Sequence, residues 1–113
     1  MREENERLSI HINSPSEKLQ VRKRRAIYRC QQRGLLEVDL ILGKWASENV
    51  MALGSDELDL LDEILQIETL DMLDLLTKPH VLVPEDEPYS PLLNTIKEYA
   101  SNEYFNNEKP ITK

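Results

Sequence analysis

An all-α fold, a small five-helix bundle, is what this chain predicts, and two observations predict it. Apolar residues recur at helical spacing in five successive segments, and only three glycines interrupt 113 residues. Hydrophobic residues make up 40% of the chain but aromatics only 5%, so Leu, Ile and Val must supply the core. The length suits one small domain with tails. It divides into a flexible N-terminal arm over 1–13, a helical domain over 14–104 and a disordered tail over 105–113.

The arm lacks periodicity. Ser14-Pro15-Ser16-Glu17 then reads as a helix start. Ser14 can cap, Pro15 fits the first helical position without losing a needed donor, and Glu17 can close a capping box. The first helix should run from about 15 to 32 and stop at Gly34, whose freedom to adopt positive φ suits a C-terminal cap. Leu19, Ala26, Ile27 and Cys30 form its narrow apolar side. Arg22, Arg25, Arg29 and Arg33 line up beside that side as a cationic stripe.

The second helix, about 35–53, is the most apolar element. Leu35, Val38, Ile41, Leu42, Trp45, Ala46 and Val50 share one broad arc, while Glu37, Lys44 and Glu48 point away from it. Asp39 falls inside the arc, so its carboxylate needs a partner, and an arginine of the first helix is the expected one. Gly54 ends this helix. Ser55 or Asp56 should cap a third, running to about Ile67, with Leu58, Leu61, Ile64 and Leu65 inward and Asp59, Asp62 and Glu63 outward. A short fourth helix covers about Thr69 to Leu76. Pro79, Pro84 and Pro88 make 77–88 an extended connector. Ser90 should cap a fifth helix with Pro91 first in it, burying Leu92, Leu93, Ile96, Tyr99 and Ala100.

Composition excludes several functions. No apolar run approaches the roughly 18 residues of a membrane span. The N-terminus has no secretory apolar segment, and MREENE is too acidic for an intact mitochondrial presequence. One cysteine cannot form an internal disulfide and fits a reducing compartment. His11 and His80 have no Cys or His neighbour at ligand spacing, so no metal site is expected. Cys30 sits on an apolar helix side as an inert thiol rather than a nucleophile. No glycine-rich loop is present to cradle a phosphate.

Charge is unevenly divided. Residues 1–34 carry nine Lys/Arg against four Asp/Glu, whereas 35–113 carry five against seventeen. The acidic body disfavours non-specific nucleic-acid binding but leaves a local basic face for an acidic partner. The stripe of Arg22, Arg25, Arg29 and Arg33 permits three readings: arginines paired with the acidic body, a nucleic-acid-binding helical module, or a surface that docks onto a protein. The helix after the turn is apolar and carries Glu37 near its start, unlike a groove-reading helix. Arginine is enriched among interface anchors because its planar fork fits carboxylates and carbonyls. Arg33, Gly34 and Glu37 sharpen this docking reading. They put a cation, a residue without Cβ and a carboxylate at one corner between two helices, with Glu37 in a first turn that favours its ionised form.

In context the corner is specific. Arg24, Tyr28, Cys30, Arg33, Gly34, Glu37, Asp39 and Leu42 meet an R-x-x-x-Y-x-(S/C)-x-x-R-G-x-x-E-x-D-x-x-L pattern. The stretch closely resembles the succinate dehydrogenase flavinylation and assembly factor family. A weaker resemblance extends over about 18–104, and the order of five helices matches. Where that family has Pro-Asp-Leu followed by aromatics and Trp-Leu-Thr, this chain reads Leu70-Asp71-Met72-Leu73-Asp74-Leu75-Leu76-Thr77, without the proline or the tryptophan.

The resemblance implies a monomeric chaperone, not an enzyme. It would bind the flavoprotein subunit of succinate dehydrogenase and promote covalent attachment of FAD to a histidine of that subunit. Fumarate reductase is a further candidate client. The chain itself would hold no cofactor stably and would act on the partner's FAD. Arg33, Gly34 and Glu37 would contact the partner, Arg25 and Arg29 would extend the contact, and Asp39 would lock the two helices together. The family occurs in the mitochondrial matrix and the bacterial cytoplasm; the matrix is the expected location here. A protein-interaction bundle with another client remains the general alternative.

Overall fold

A computed structural model describes the backbone of residues 15–106 and the side chains of 16–103. Ser14, the arm before it and residues 107–113 lie outside the described residues, as do the N-terminal capping box and the fate of both tails. The described residues form five α-helices and no strand: α1 (Pro15–Gln31), α2 (Leu36–Asn49), α3 (Ser55–Ile64), α4 (Thr69–Thr77) and α5 (Ser90–Ala100). A 3₁₀ turn at Val50–Ala52 prolongs α2, and a π-helical stretch at Ser101–Asn106 prolongs α5.

The all-α expectation holds, and α2 lies at the centre, packed against α1, α4 and α5, while α3 closes on α1 and α5. The α2 arc is buried as its periodicity requires: Val38, Leu42, Ala46 and Val50 are fully inaccessible. They meet Leu58, Leu61, Ile64, Met72, Leu93 and Ile96, also fully buried. Each such large side chain contributes roughly 1.5–3 kcal/mol by leaving water. Helices α1 and α2 run antiparallel, with Lys23 opposite Met51 and Gln31 opposite Gly43. Their close approach depends on Gly43. A Cβ there would lie 2.9 Å from Gln31 Cγ and 3.3 Å from its Cα. Lys23, inside the basic run, is buried, and its ammonium donates to the Met51 carbonyl at 2.7 Å. It thereby supplies one of the donors that the end of a helix lacks.

Three helix ends differ from the sequence expectation. The N-cap of α3 is Gly54 rather than Ser55 or Asp56; its N–H donates to Glu57 Oε1 at 3.1 Å, so Glu57 performs the capping from within the first turn. The same helix stops at Ile64, not Ile67. Gln66 and Ile67 tighten into turns by donating to the carbonyls of Glu63 and Ile64. Helix α5 begins at Ser90 itself, with Tyr89 as its N-cap and Pro91 one place further in. The Ser90 hydroxyl is not a cap; it donates to the Pro84 carbonyl and ties the connector back onto the helix. Lys97 Nζ donates to the carbonyls of Leu75 and Lys78, closing the C-terminal end of α4, and burial pushes its pKa down.

Candidate functional site

The corner between α1 and α2 is built by two side chains that reach back across it. Gly34 has φ +97°, a conformation that would strain any residue with a Cβ. Beyond that backbone requirement the position is open: a Cβ at Gly34 would meet no atom within 4 Å. Asp39, in the first turns of α2, accepts from the Arg33 N–H at 2.7 Å and from the Gly34 N–H at 3.4 Å. The carboxylate inside the apolar arc therefore does find an arginine, but it takes the arginine's main chain and not its guanidinium. It locks the bend itself.

Arg33 turns its guanidinium into the fold. Nη1 donates to the Leu65 carbonyl at 2.7 Å and Nη2 to the Ile67 carbonyl, so the side chain caps the turn after α3. Its Nε–H is buried without a hydrogen-bond partner. The cation of the corner is thus largely used internally. Glu37, by contrast, is exposed, as is Gly34.

The arginine stripe separates into distinct roles. Arg22 donates to Asp59 at 2.6 Å and Asp62 at 2.8 Å, and Arg29 donates to Asp62 at 3.1 Å. Arg24 and Arg25 are exposed, and their side chains make no hydrogen bond or ion pair among the described residues. The reading in which arginines pair with the acidic body describes Arg22 and Arg29 well. A continuous cationic face for nucleic acid is not what the helix presents.

Large apolar side chains stand exposed around the corner. Leu36 and Leu40 are 72% and 54% exposed on the same side of α2 as Glu37, and Tyr28 of α1 is 63% exposed. Sequence reasoning gave these leucines no role, although the signal was present: both fall outside the apolar arc and flank Glu37. Tyr28, Arg29, Gln32 and Arg33 form one wall of a shallow groove of about 440 Å³, with Leu65, Ile67, Glu68 and Thr69 opposite. Exposed apolar groups beside solvated charges have a composition that suits contact with another protein.

Nothing else described competes with this corner. Cys30 is fully buried, and burial pushes its thiol up to about 12 despite the opposing pull of Arg33 and Arg29, so it is no nucleophile at neutral pH. Among the described residues no group of three or more His, Cys, Asp or Glu could hold a metal ion. None of the described helices is long and apolar enough to cross a membrane.

Residues 24–100 match the family described as "Flavinator of succinate dehydrogenase". Similar curated proteins are each named succinate dehydrogenase assembly factor 2, mitochondrial. The Arabidopsis thaliana protein is 32% identical over 89 residues, covering 79% of this chain and 47% of that protein. The Candida glabrata protein is 29% identical over 99 residues, covering 85% and 65%. The Caenorhabditis elegans protein is 32% identical over 57 residues, covering 50% and 48%. The chain thus spans about half to two thirds of the length of these relatives. No solved structure matches.

Proposed function

We propose a function from one premise: the chain belongs to the succinate dehydrogenase flavinator family. It is a succinate dehydrogenase assembly factor that binds the flavoprotein subunit and promotes covalent attachment of FAD to it, in the mitochondrial matrix. The relatives named for the same assembly role and for mitochondria support this reading.

The observation that carries the docking role is the open corner. Gly34 has no neighbour within 4 Å of a would-be Cβ, and solvent-facing Glu37, Leu36 and Leu40 stand beside it. A partner backbone can approach the glycine closely while the leucines bury apolar area and Glu37 takes a hydrogen bond or a cation. Arg25 supplies an uncommitted positive charge and Tyr28 an aromatic anchor. Arg33 acts from behind, through the carbonyls it holds, and Asp39 fixes the bend.

The chain would contribute no group to the covalent step. The bond forms between a histidine and a flavin methyl of the partner, and the factor holds the partner where those atoms meet. Positioning of this kind lowers barriers by about 7–11 kcal/mol in the most favourable small-molecule cases. The chain is accordingly a chaperone, with the FAD belonging to its client.

Two variants test this. Gly34→Arg fills the open approach and should abolish capture of the flavoprotein subunit while the helices remain folded by circular dichroism. Glu37→Ala should lower the yield of covalently flavinylated subunit, read as flavin fluorescence that stays with the denatured protein. Wild-type capture by the first variant, with wild-type flavinylation by the second in a factor-dependent strain, removes the corner from the function.

A further inference from the structure

Arg22 and Arg29 stand two helical turns apart on one face of α1, and Asp59 and Asp62 stand one turn apart on α3. The two faces meet in a chain of contacts. Asp62 divides its carboxylate, with Oδ2 accepting from Arg22 at 2.8 Å and Oδ1 from Arg29 at 3.1 Å. Arg22 is held a second time by Asp59 at 2.6 Å. Asp62 is therefore anchored on one oxygen and anchors Arg29 with the other. Arg29 then lines the groove beside Tyr28 and Arg33, whereas Asp62 does not.

This contact contributes little to folding. The Arg29 and Asp62 side chains are 45% and 41% exposed, and ion pairs so wetted are worth little to stability. What the contact does change is the freedom of Arg29. An arginine that becomes ordered only on binding loses rotamer entropy at that moment, and one already held loses less.

We propose that Asp62 is a positioning residue of the docking surface: it presents Arg29 at the groove wall, so that this arginine enters the complex already ordered. The proposal rests on the reading that the partner docks on the α1–α2 corner, and it brings α3 into that surface from outside the corner pattern. Asp62 also offsets the charge of Arg29, which acts in the opposite direction during encounter with an acidic partner. The two effects separate kinetically, because long-range charge acts on the association rate and is screened by salt, whereas ordering of a contact acts on dissociation.

The test is the binding kinetics of the full chain on purified flavoprotein subunit, at physiological and at high ionic strength, with a thermal melt of every variant. Asp62→Asn should speed dissociation about threefold to tenfold at both salts. Asp59→Asn, which loosens Arg22 but spares the Arg29 contact, should leave dissociation unchanged. In an Arg29→Gln background, Asp62→Asn should add nothing. Unchanged dissociation in a folded Asp62→Asn overturns the proposal. So does an equal effect from Asp59→Asn, or one that persists without Arg29, since each would place the role in the α1–α3 packing. If Gly34→Arg abolishes binding while Asp62→Asn is neutral, only this inference falls. If Gly34→Arg binds like wild type, or the wild-type chain does not bind the subunit at all, the docking reading falls and takes the inference with it.

Discussion

Replacing Arg33 by methionine keeps most of the apolar stem and removes the guanidinium. Two charge-assisted hydrogen bonds to the carbonyls of Leu65 and Ile67 are lost. Bonds of this type each contribute about 1.5–3 kcal/mol net, so about 3–6 kcal/mol is removed. Against this, the wild type carries a buried Nε–H without a partner, and relieving it returns about 1–3 kcal/mol. The expected net loss is about 2–3 kcal/mol, a large fraction of the stability of a small domain. For a domain of this size it lowers the melting temperature by about 10–25 °C. Far-UV circular dichroism on heating reads the change directly. Arg33→Lys keeps the charge but not the two-pronged geometry, and should fall between wild type and Arg33→Met. Arg33→Met melting within about 3 °C of wild type would mean that the guanidinium does not cap the turn, and the inward role assigned to it would be wrong. Glu37→Ala is the control, since a solvent-facing carboxylate should change stability by no more than about 0.5 kcal/mol.

Further outcomes follow from the packing. Gly43→Ala drives a methyl against Gln31; overpacking of about 1–3 kcal/mol outweighs a helix-propensity gain of about 1 kcal/mol, and Gln31→Ala in the same chain should recover most of the loss. A denaturant midpoint that rises in Gly43→Ala alone would refute the close approach. Asp39→Ala leaves the Arg33 and Gly34 N–H groups without their acceptor and should cost about 1–3 kcal/mol in urea unfolding, with Asp39→Asn, which keeps an acceptor oxygen, costing less. Cys30 carries a pH signature. The folded thiol holds its proton up to about 12 and the ordinary value is 9.0, so the folded state binds the proton more tightly. Its contribution is complete below pH 9, declines as pH rises above that value and is gone above about 12, falling about 1.4 kcal/mol per pH unit in between. Subtracting the unfolding curve of Cys30→Ala isolates this limb from the tyrosines and lysines, and parallel curves for the two chains would contradict it.

The helices were legible because each buries a stripe at the helical period, and the α2 arc from Val38 to Val50 is buried as its spacing requires. Ends fixed by distant partners were not legible. The stop of α3 at Ile64 coincides with a turn whose carbonyls take Arg33, a residue of another element. Ser90 looks like a cap because hydroxyls before a proline-started helix usually are, but here the helix starts one residue earlier, with Tyr89 at the cap position, and the Ser90 hydroxyl instead donates to the Pro84 carbonyl of the connector. The lone carboxylate in an apolar arc announced that Asp39 needed a partner; that the donor would be a main-chain N–H depended on the bend geometry. Gly43 was silent in the sequence, because its importance comes from the register between α1 and α2. At the corner, the positive φ of Gly34 and the exposure of Glu37 were legible from the sequence. The division of the arginine stripe was not, since it depends on which carboxylates α3 and which carbonyls the following turn bring within reach.

The clamp on Arg33 has a temporal consequence. Its acceptors lie 32 and 34 positions further along the chain, so a polypeptide leaving the ribosome exposes the whole hairpin sequence well before they exist. Until residues 65–67 arrive and dock, that guanidinium remains a loose cation, and the bend lacks its backing. On the docking reading proposed above, the surface is finished only on a molecule that has already completed its third helix, so binding would report on the chain's own maturity.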